Sequence, residues 1–252
     1  MAVFRLKKIL ATLAFIIAFL FTCRLSLFTS NFLGLFTFSE PLFLLSALLL
    51  GPNAGALVGG IGFALSNFLL GYPHYIIAAL TVNSLTGFLV GKINQFKHLS
   101  HPLLGALSTL TLIFSFTLVG TIIYSGEAYI GYTKDLFLGE EIMKYRGLYA
   151  YRLDIPPWLW IIAGALIGSI SFLVSFKKSP KYLWASTALL IGCLTIISGY
   201  FLYETFLLPT LFQIKVDAVT NLIVNLGHSI ISANISLLLY WAIKWLQRSK
   251  PL

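Results

Sequence analysis

Runs of apolar residues that are long enough to cross a lipid bilayer set the strongest limit on how this chain folds. The runs are 9–28, 40–50, 53–70, 73–91, 102–124, 157–176, 182–206 and 217–243. A transmembrane helix needs about 20 apolar residues. Mean hydropathy is +0.91 and only 10% of residues are charged, against about 25% in soluble domains. We predict an all-α polytopic membrane protein with about eight transmembrane helices in one domain, residues 1–252.

The charged residues predict the orientation of the chain in the membrane. Four short clusters hold most of the Lys and Arg and no acid: Arg5/Lys7/Lys8, Lys92/Lys97, Lys177/Lys178/Lys181 and Lys244/Arg248/Lys250. The acidic residues fall elsewhere, at Glu40, Glu127, Asp135, Glu140, Glu141, Asp154, Glu204 and Asp217. Basic loops are cytoplasmic in membrane proteins. We therefore expect a plasma-membrane protein with both termini cytoplasmic and no nucleic-acid partner.

The run at 40–50 is short for a span, and Gly51 and Pro52 end it. The basic clusters all fall on the same side of the membrane only if this run crosses it, so we predict a tilted or partial span that packs against protein.

The first apolar run follows a basic start, as in a signal peptide, but no A-x-A-like cleavage site comes after it. We expect a retained first helix.

Small residues recur at four-residue spacing, which lets helix backbones approach closely in lipid. The sets are Ala14/Ala18, Gly51/Gly55/Gly59, Gly87/Gly91 and Gly164/Gly168. Each set serves either packing within the chain, which is the commoner use, or docking onto another membrane subunit.

Motifs for autonomous chemistry are missing from the sequence. It has no G-x-x-x-x-G-K-[ST] phosphate loop, no H-E-x-x-H, no C-x-x-C and no nucleophile elbow. Cys23 and Cys193 lie far apart in apolar runs, so neither a disulfide framework nor a metal site is indicated. We predict no cofactor and no enzymatic activity, with any ATP hydrolysis supplied by partners.

Polar residues inside the apolar runs are the best candidates for function. One helical stripe in the last run comprises Asp217, Asn221, Asn225, His228 and Ser232. Other polar or aromatic residues near the predicted outer helix ends are Glu40, Asn67, Tyr72, His74, Tyr75, Asn83 and Glu204.

Together these residues predict a pocket that opens to the outside and binds a small, partly flat ligand. Its predicted contacts are Glu40, Asn67, Tyr72, His74, Tyr75, Asn83, Glu204, Asn221, Asn225 and His228. The alternative is that the amides and hydroxyls join helices to each other, at about 0.6–2 kcal/mol each. Loop 125–156 is rich in Tyr, and Trp158 and Trp160 lie just beyond it, which indicates either an interfacial aromatic belt or a lid over the pocket.

Several segments resemble the substrate-binding (S) components of energy-coupling factor vitamin transporters. They are Leu-Leu-Leu-Gly-Pro-Asn-Ala-Gly-Ala-Leu-Val-Gly-Gly-Ile-Gly at 48–62, Leu-Leu-Gly-Tyr-Pro-His-Tyr at 69–75, Gly-Phe-Leu-Val-Gly at 87–91, Gly-Tyr-Phe-Leu-Tyr-Glu at 199–204 and Asn-Leu-Ile-Val-Asn-Leu-Gly at 221–227. The resemblance implies a six-helix fold that captures a vitamin-like micronutrient outside. It also implies partners, namely a transmembrane coupling subunit and two cytoplasmic ATPases. Ala14 and Ala18 match the A-x-x-x-A pattern by which such proteins contact the coupling subunit.

The chain departs from that family pattern in two places. Many relatives carry acidic residues at the positions of Phe63 and Asn67, so this pocket is expected to be less charged. Residues 1–97 and 179–252 resemble the six-helix core, whereas 98–178 reads as an inserted helical hairpin with its outer loop at 125–156. The alternatives are an unrelated transporter or channel, or a membrane enzyme or assembly factor that uses the polar stripe of the last helix.

Overall fold

The chain folds into a helical bundle with a small β-sheet at one end. The computed structural model describes residues 2–29, 33–96, 101–132, 150–177 and 183–248. Within those ranges the helices are α1 (Ala2–Thr22), α2 (Glu40–Leu50), α3 (Pro52–Leu70), α4 (Pro73–Gln95), α5 (Pro102–Ile123), α6 (Pro157–Lys177), α7 (Trp184–Phe212) and α8 (Ala218–Arg248). Six of the described helices, α3 to α8, are long and apolar enough to cross a bilayer. The predicted polytopic, mainly helical membrane fold with about eight helices is confirmed.

The short helix α2 packs inside the bundle, as the sequence predicts. It has 11 residues, with Pro41 in its first turn, and ends at Gly51. The φ of Gly51 is 89°, a conformation that glycine adopts at little cost. Phe43 and Leu44 on this helix are fully buried. Because α2 is too short to span a bilayer alone, the surrounding protein accommodates its ends.

Glycines hold α3 and α4 in backbone contact. A Cβ on Gly87 of α4 would lie 2.2 Å from the carbonyl oxygen of Gly55 on α3, and a Cβ on Gly91 would lie 2.4 Å from the nitrogen of Pro52. A Cβ on Gly59 would meet the carbonyl oxygen of Asn83 at 2.5 Å. These two glycine sets therefore serve packing within the chain, which is the commoner of the two uses that the spacing allows.

Four strands form an antiparallel sheet that was not predicted from the sequence. The strands are β1 (Leu25–Thr29), β2 (Leu35–Thr37), β3 (Gly126–Tyr132) and β4 (Ala150–Ile155), in the spatial order β2-β1-β3-β4. In the central pair, Leu27 faces Ile130. The prediction of a single helix over 9–28 is wrong, because α1 ends at Thr22 and the rest of that run forms β1. Parts of the predicted loop 125–156 are likewise strands.

The sheet is fixed to the helices through Tyr124, which directly follows α5. Its side chain is buried, and its hydroxyl donates to the carbonyl oxygen of Leu35 in β2 at 2.6 Å. Burial and the nearby Glu40 raise the pKa of Tyr124, so the phenol keeps the proton that it donates. The indole Nε1 of Trp160 on α6 donates to the Tyr124 carbonyl oxygen at 3.2 Å.

The helices of the predicted inserted hairpin differ in how they pack. On α5, Leu112 is fully buried, and its carbonyl oxygen accepts a hydrogen bond from Asn234 Nδ2 of α8 at 3.2 Å. Thr109 of α5 donates to Ser186 of α7 at 2.8 Å. In contrast, α6 packs on α5 through Gly164 and leaves residues such as Ile162 exposed. Helix α5 is thus part of the bundle, while the division into core and insertion stays a prediction.

Much of the predicted aromatic loop lies outside the described residues. This applies to Tyr145 and Tyr149, which fall within 133–149. Tyr129 and Tyr151 lie on the paired strands β3 and β4, and the side chain of Tyr151 is exposed. The two hypotheses for this loop, an interfacial belt or a lid, stay predictions.

We expect Gly87→Ala to lower the free energy of unfolding by about 1–3 kcal/mol, because the new methyl group overlaps the Gly55 carbonyl. Thermal unfolding of the purified protein in detergent measures the change. Gly168→Ala is the matched control, since nothing lies within 4 Å of the Cβ position there. Equal unfolding temperatures for the two variants would contradict the close helix contact.

Candidate functional site

A cavity of about 460 Å³ lies at the sheet end of the bundle. All ten residues predicted as ligand contacts line it: Glu40, Asn67, Tyr72, His74, Tyr75, Asn83, Glu204, Asn221, Asn225 and His228. The other described lining residues are Cys23, Leu35, Thr37, Ser39, Phe63, Ser66, Leu70, Ile196, Tyr200, Val216 and Val224. The fold thus brings together side chains from α2, α3, α4, α7 and α8. Their role as substrate contacts stays a prediction.

Glu40, which is buried, pairs with the partly buried His228 at one wall of the cavity. His228 Nε2 lies 2.7 Å from Glu40 Oε2, 2.9 Å from the Thr37 hydroxyl and 3.1 Å from the Thr37 backbone nitrogen. One ring nitrogen either donates to the carboxylate or accepts from the Thr37 N–H. The tautomer of His228 therefore decides whether Nε2 bonds to the partner on α2 or to the partner on β2.

Glu204 forms a second polar cluster on α7. Its Oε1 accepts a hydrogen bond from the Tyr75 hydroxyl at 3.0 Å, and Asn221 of α8 also approaches the carboxylate. Asn67 Nδ2 donates to the backbone carbonyl of Tyr75 at 3.3 Å. Three helices besides α7 therefore hold this carboxylate and its tyrosine in place.

Asn83 and Tyr200 form a third polar contact. Asn83 Nδ2 donates to the Tyr200 hydroxyl at 2.9 Å, and the Asn83 side chain is almost fully buried. This contact joins α4 to α7 next to Glu204, because Tyr200 lies one helical turn before Glu204.

Aromatic rings form much of the remaining wall. Among the lining rings, the centroids of Tyr75 and Tyr200 are 6.4 Å apart and those of His74 and Tyr75 are 4.9 Å apart. Tyr203 is a core residue outside the lining that packs against Tyr75, with ring centroids 6.0 Å apart. The Tyr203 hydroxyl donates to the carbonyl oxygen of His74. Burial raises the pKa of Tyr72, which lies in the turn between α3 and α4. Such a wall suits a ligand with a flat aromatic part.

Three helices contain a π-helical turn at the level of the cavity. These turns are Val58–Gly62 in α3, Ala79–Asn83 in α4 and Tyr203–Leu207 in α7. A π turn inserts one extra residue and is frequent at functional sites. Asn83 and Glu204 lie within such turns, so the irregular backbone sets the direction of both side chains.

The polar stripe of the last helix divides into three parts. Asp217 caps the N-terminus of α8, where its Oδ1 accepts from the backbone nitrogens of Val219 and Thr220 at 3.1 and 3.3 Å. The hydrogen bond from the Thr220 hydroxyl, together with these backbone bonds, lowers the pKa of Asp217. Asn221, Asn225 and His228 line the cavity, and Ser232 is fully buried below it.

Some lining residues were not predicted from the sequence. Tyr200 could have been found, because it precedes Glu204 by four residues and so shares its helical face. No sequence pattern identifies Thr37 and Leu35 as lining residues, because it is the sheet that brings them to the cavity. Asn67 and Phe63, which are expected from the sequence to make the pocket less charged, both line the cavity.

The two residues predicted for partner docking lie on α1, away from the cavity lining. Ala14 is exposed and Ala18 is partly exposed. The neighbouring Leu10, Leu13 and Ile17 are also exposed. Docking through this face stays a prediction.

The fold and site define a class: a multi-pass helical membrane protein with a solute-sized, polar and aromatic cavity at one end of its bundle. Among the described residues, no group of three or more His, Cys, Asp or Glu side chains could hold a metal ion.

A family model described as "ECF-type riboflavin transporter, S component" matches residues 6–145, which is more than half of the chain. The chain belongs to this family, which consists of transporter substrate-binding components. The matched range includes most of α1, all of α2 to α5, and strands β1 to β3. The comparisons found no match among curated proteins and none among solved structures.

We expect His228→Leu to lower the free energy of unfolding by about 3–5 kcal/mol, because it leaves the Glu40 carboxylate buried without its partner. In a double-mutant cycle with Glu40→Gln, the second change should cost much less than it does alone. Thermal unfolding measures both. His101→Leu, at an exposed position before α5, is the control. Additive effects in the cycle would contradict a direct pair.

Proposed function

We propose that this protein is the substrate-capture subunit of an ECF-type importer and that its substrate is riboflavin or a closely similar vitamin. The observation that carries the proposal is the cavity of about 460 Å³ whose lining includes all ten polar and aromatic residues predicted from the sequence, in a chain of the riboflavin S-component family. The cavity volume of about 460 Å³ falls within the range of about 300–1,000 Å³ that is typical of small-molecule sites.

The chemistry of riboflavin suits the lining residues. Its flat ring system would pack against the rings of Tyr75 and Tyr200. Its imide N–H and the hydroxyl groups of its side chain would bond to the amides of Asn221 and Asn225 and to the Glu204 carboxylate. Aromatic stacking and a few placed hydrogen bonds are the usual basis of specificity in such sites.

In the proposed orientation both termini are cytoplasmic and the cavity faces outside. A transmembrane coupling subunit and two cytoplasmic ATPases would use ATP to drive release inside. The absence of a phosphate loop from the sequence supports energy supplied by such partners. The exposed Ala14 face of α1 supports docking there, because small residues allow close helix contact.

We expect the purified protein to bind riboflavin. Asn221→Leu and Glu204→Leu should each weaken binding by about 10–100-fold, because each removes hydrogen bonding to the ligand that contributes about 1.5–3 kcal/mol. Quenching of flavin fluorescence measures the affinity. Asn53→Leu, an exposed amide at the start of α3 that does not line the cavity, is the control. Unchanged affinity in both cavity variants would contradict the placement of the site.

We expect Ala14→Trp to reduce co-purification of a co-expressed coupling subunit and ATPases by about tenfold, equivalent to about 1.4 kcal/mol, because the indole separates the helices. Riboflavin binding by the isolated variant should be unchanged. Ala165→Trp, at an exposed alanine of α6, is the matched control. If Ala165→Trp and not Ala14→Trp disrupts the complex, the docking face lies elsewhere.

A further inference from the structure

Strand β4 (Ala150–Ile155) forms one edge of the sheet. In the part of the chain that the structure describes, β3 is its only strand neighbour. Tyr151, Arg152, Leu153 and Asp154 are all exposed, with 81% of the Tyr151 surface and 43% of the Leu153 surface accessible. An edge strand presents a row of backbone N–H and C=O groups that no strand pairs, and such an edge is a template for the addition of a further strand.

The charges on this edge are not balanced within the chain. Asp154 stands directly opposite Glu127 of β3, which places two like charges face to face, a destabilising arrangement. Arg152 compensates Glu127, since its Nε lies 2.9 Å from Glu127 Oε1. Asp154 forms no salt bridge with any residue that the structure describes. A guanidinium group has five N–H donors in a planar fork, so Arg152 can bind a second carboxylate.

The order of charges along β4 makes the edge complementary to itself. A two-fold axis would pair the β4 strands of two copies in antiparallel orientation. Such a pair has to be centred on one residue, because successive residues direct their backbone groups to opposite edges of a strand. Centring on Arg152 or on Asp154 places like charges opposite each other. Centring on Leu153 places each Arg152 opposite Asp154 of the other copy, which is favourable.

We propose that β4 is an interface at which two copies of this chain pair edge to edge, in the register centred on Leu153. One face of the joined strands carries the two Arg152–Asp154 ion pairs. On the other face, Leu153 meets its own copy and Tyr151 meets Ile155, so the exposed apolar side chains are covered. The inference goes beyond the proposed function, because β4 contributes no residue to the cavity lining.

A second copy fits this edge for two reasons. Its charges are complementary in one register only, which fixes how the strands align. Copies of one membrane protein also share their orientation in the bilayer, so both hold β4 at the same level. The contact is isologous, which means that it closes on itself and produces a dimer rather than a filament.

Disulfide formation between copies tests the register. Full-length Leu153→Cys, Arg152→Cys and Asp154→Cys are produced singly, and their membranes are treated with a mild oxidant. In the proposed register the Leu153→Cys positions lie directly opposite each other, about 4.5–5.5 Å apart, whereas the positions of the other two variants are diagonal, about 7–8 Å apart. Because disulfide geometry is specific, we expect at least about fivefold more linked dimer from Leu153→Cys than from either neighbour.

The matched control is Leu25→Cys, at an exposed leucine of the inner strand β1. It should give no more linked dimer than the unsubstituted chain, whose two cysteines, Cys23 and Cys193, are buried.

Charge reversal tests the ion pairs. In the Leu153→Cys background, Arg152→Asp makes the edge wholly acidic and Asp154→Arg makes it wholly basic. Two acidic or two basic edges repel each other, whereas an acidic edge beside a basic one has both ion pairs. The two variants are expressed separately and together, with different tags. We expect the mixed pair to give at least about threefold more linked dimer than either variant alone, which also shows that both variants fold.

Four results would overturn the proposal. One is no linked dimer from Leu153→Cys above the Leu25→Cys level, and another is equal amounts from the three edge variants. A linked product whose mass is not twice that of the chain would assign the edge to a different protein. Equal linkage in the mixed and the separate charge-reversed variants would exclude the ion pairs. None of these readouts depends on riboflavin, so a failure here leaves the proposed function intact.

Discussion

Hydrocarbon offers no hydrogen-bond partner, and this constraint determines where the polar side chains of the bundle lie. Asn83, Tyr200 and Glu204 are parts of apolar helices, so each would be costly if it faced lipid. Instead, Asn83 Nδ2 donates to the Tyr200 hydroxyl at 2.9 Å, and the Tyr75 hydroxyl donates to Glu204 Oε1 at 3.0 Å. The cavity is the space around these mutually bonded groups. The glycine contact between α3 and α4 supports it, because a Cβ at Gly59 would collide with the backbone of Asn83.

The second constraint is the sheet, which supplies one wall from outside the helices. Strand β2 contributes Leu35 and Thr37 to the lining, and three residues alone would not hold a strand in place. Its order comes from pairing with β1, from the bond of Tyr124 to Leu35, and from His228 beside Thr37. Tyr124 follows α5 and is in turn bonded by Trp160 of α6. The segment that reads as an insertion in the sequence therefore positions a wall of the cavity.

The helices and the candidate site were largely predictable from the sequence, because both depend on local periodicity. Membrane spans show as long apolar runs, and the stripe at Asn221, Asn225 and His228 shows as spacings of four and three. The sheet was not predictable in the same way. Leu25–Thr29 continues the apolar run of α1, and its partner strand β3 lies about a hundred residues away in sequence. Periodicity within a window cannot reveal such pairing. For the same reason Thr37 was missed, although it contacts His228, which was predicted.

The two hypotheses for the polar residues, ligand contact and interhelical hydrogen bonding, are not exclusive. Asn234 is bonded on its amide nitrogen to two carbonyl oxygens deep in the bundle, which is a helix-joining role. Glu204 differs, because one carboxylate oxygen joins α7 to Tyr75 of α4 while the other has no partner in the protein. The bonded oxygen fixes the side chain, and the second oxygen then has a defined position from which to accept a donor. A group held in this way loses little conformational entropy on binding, so the contacts that stabilise the bundle also pre-organise the cavity.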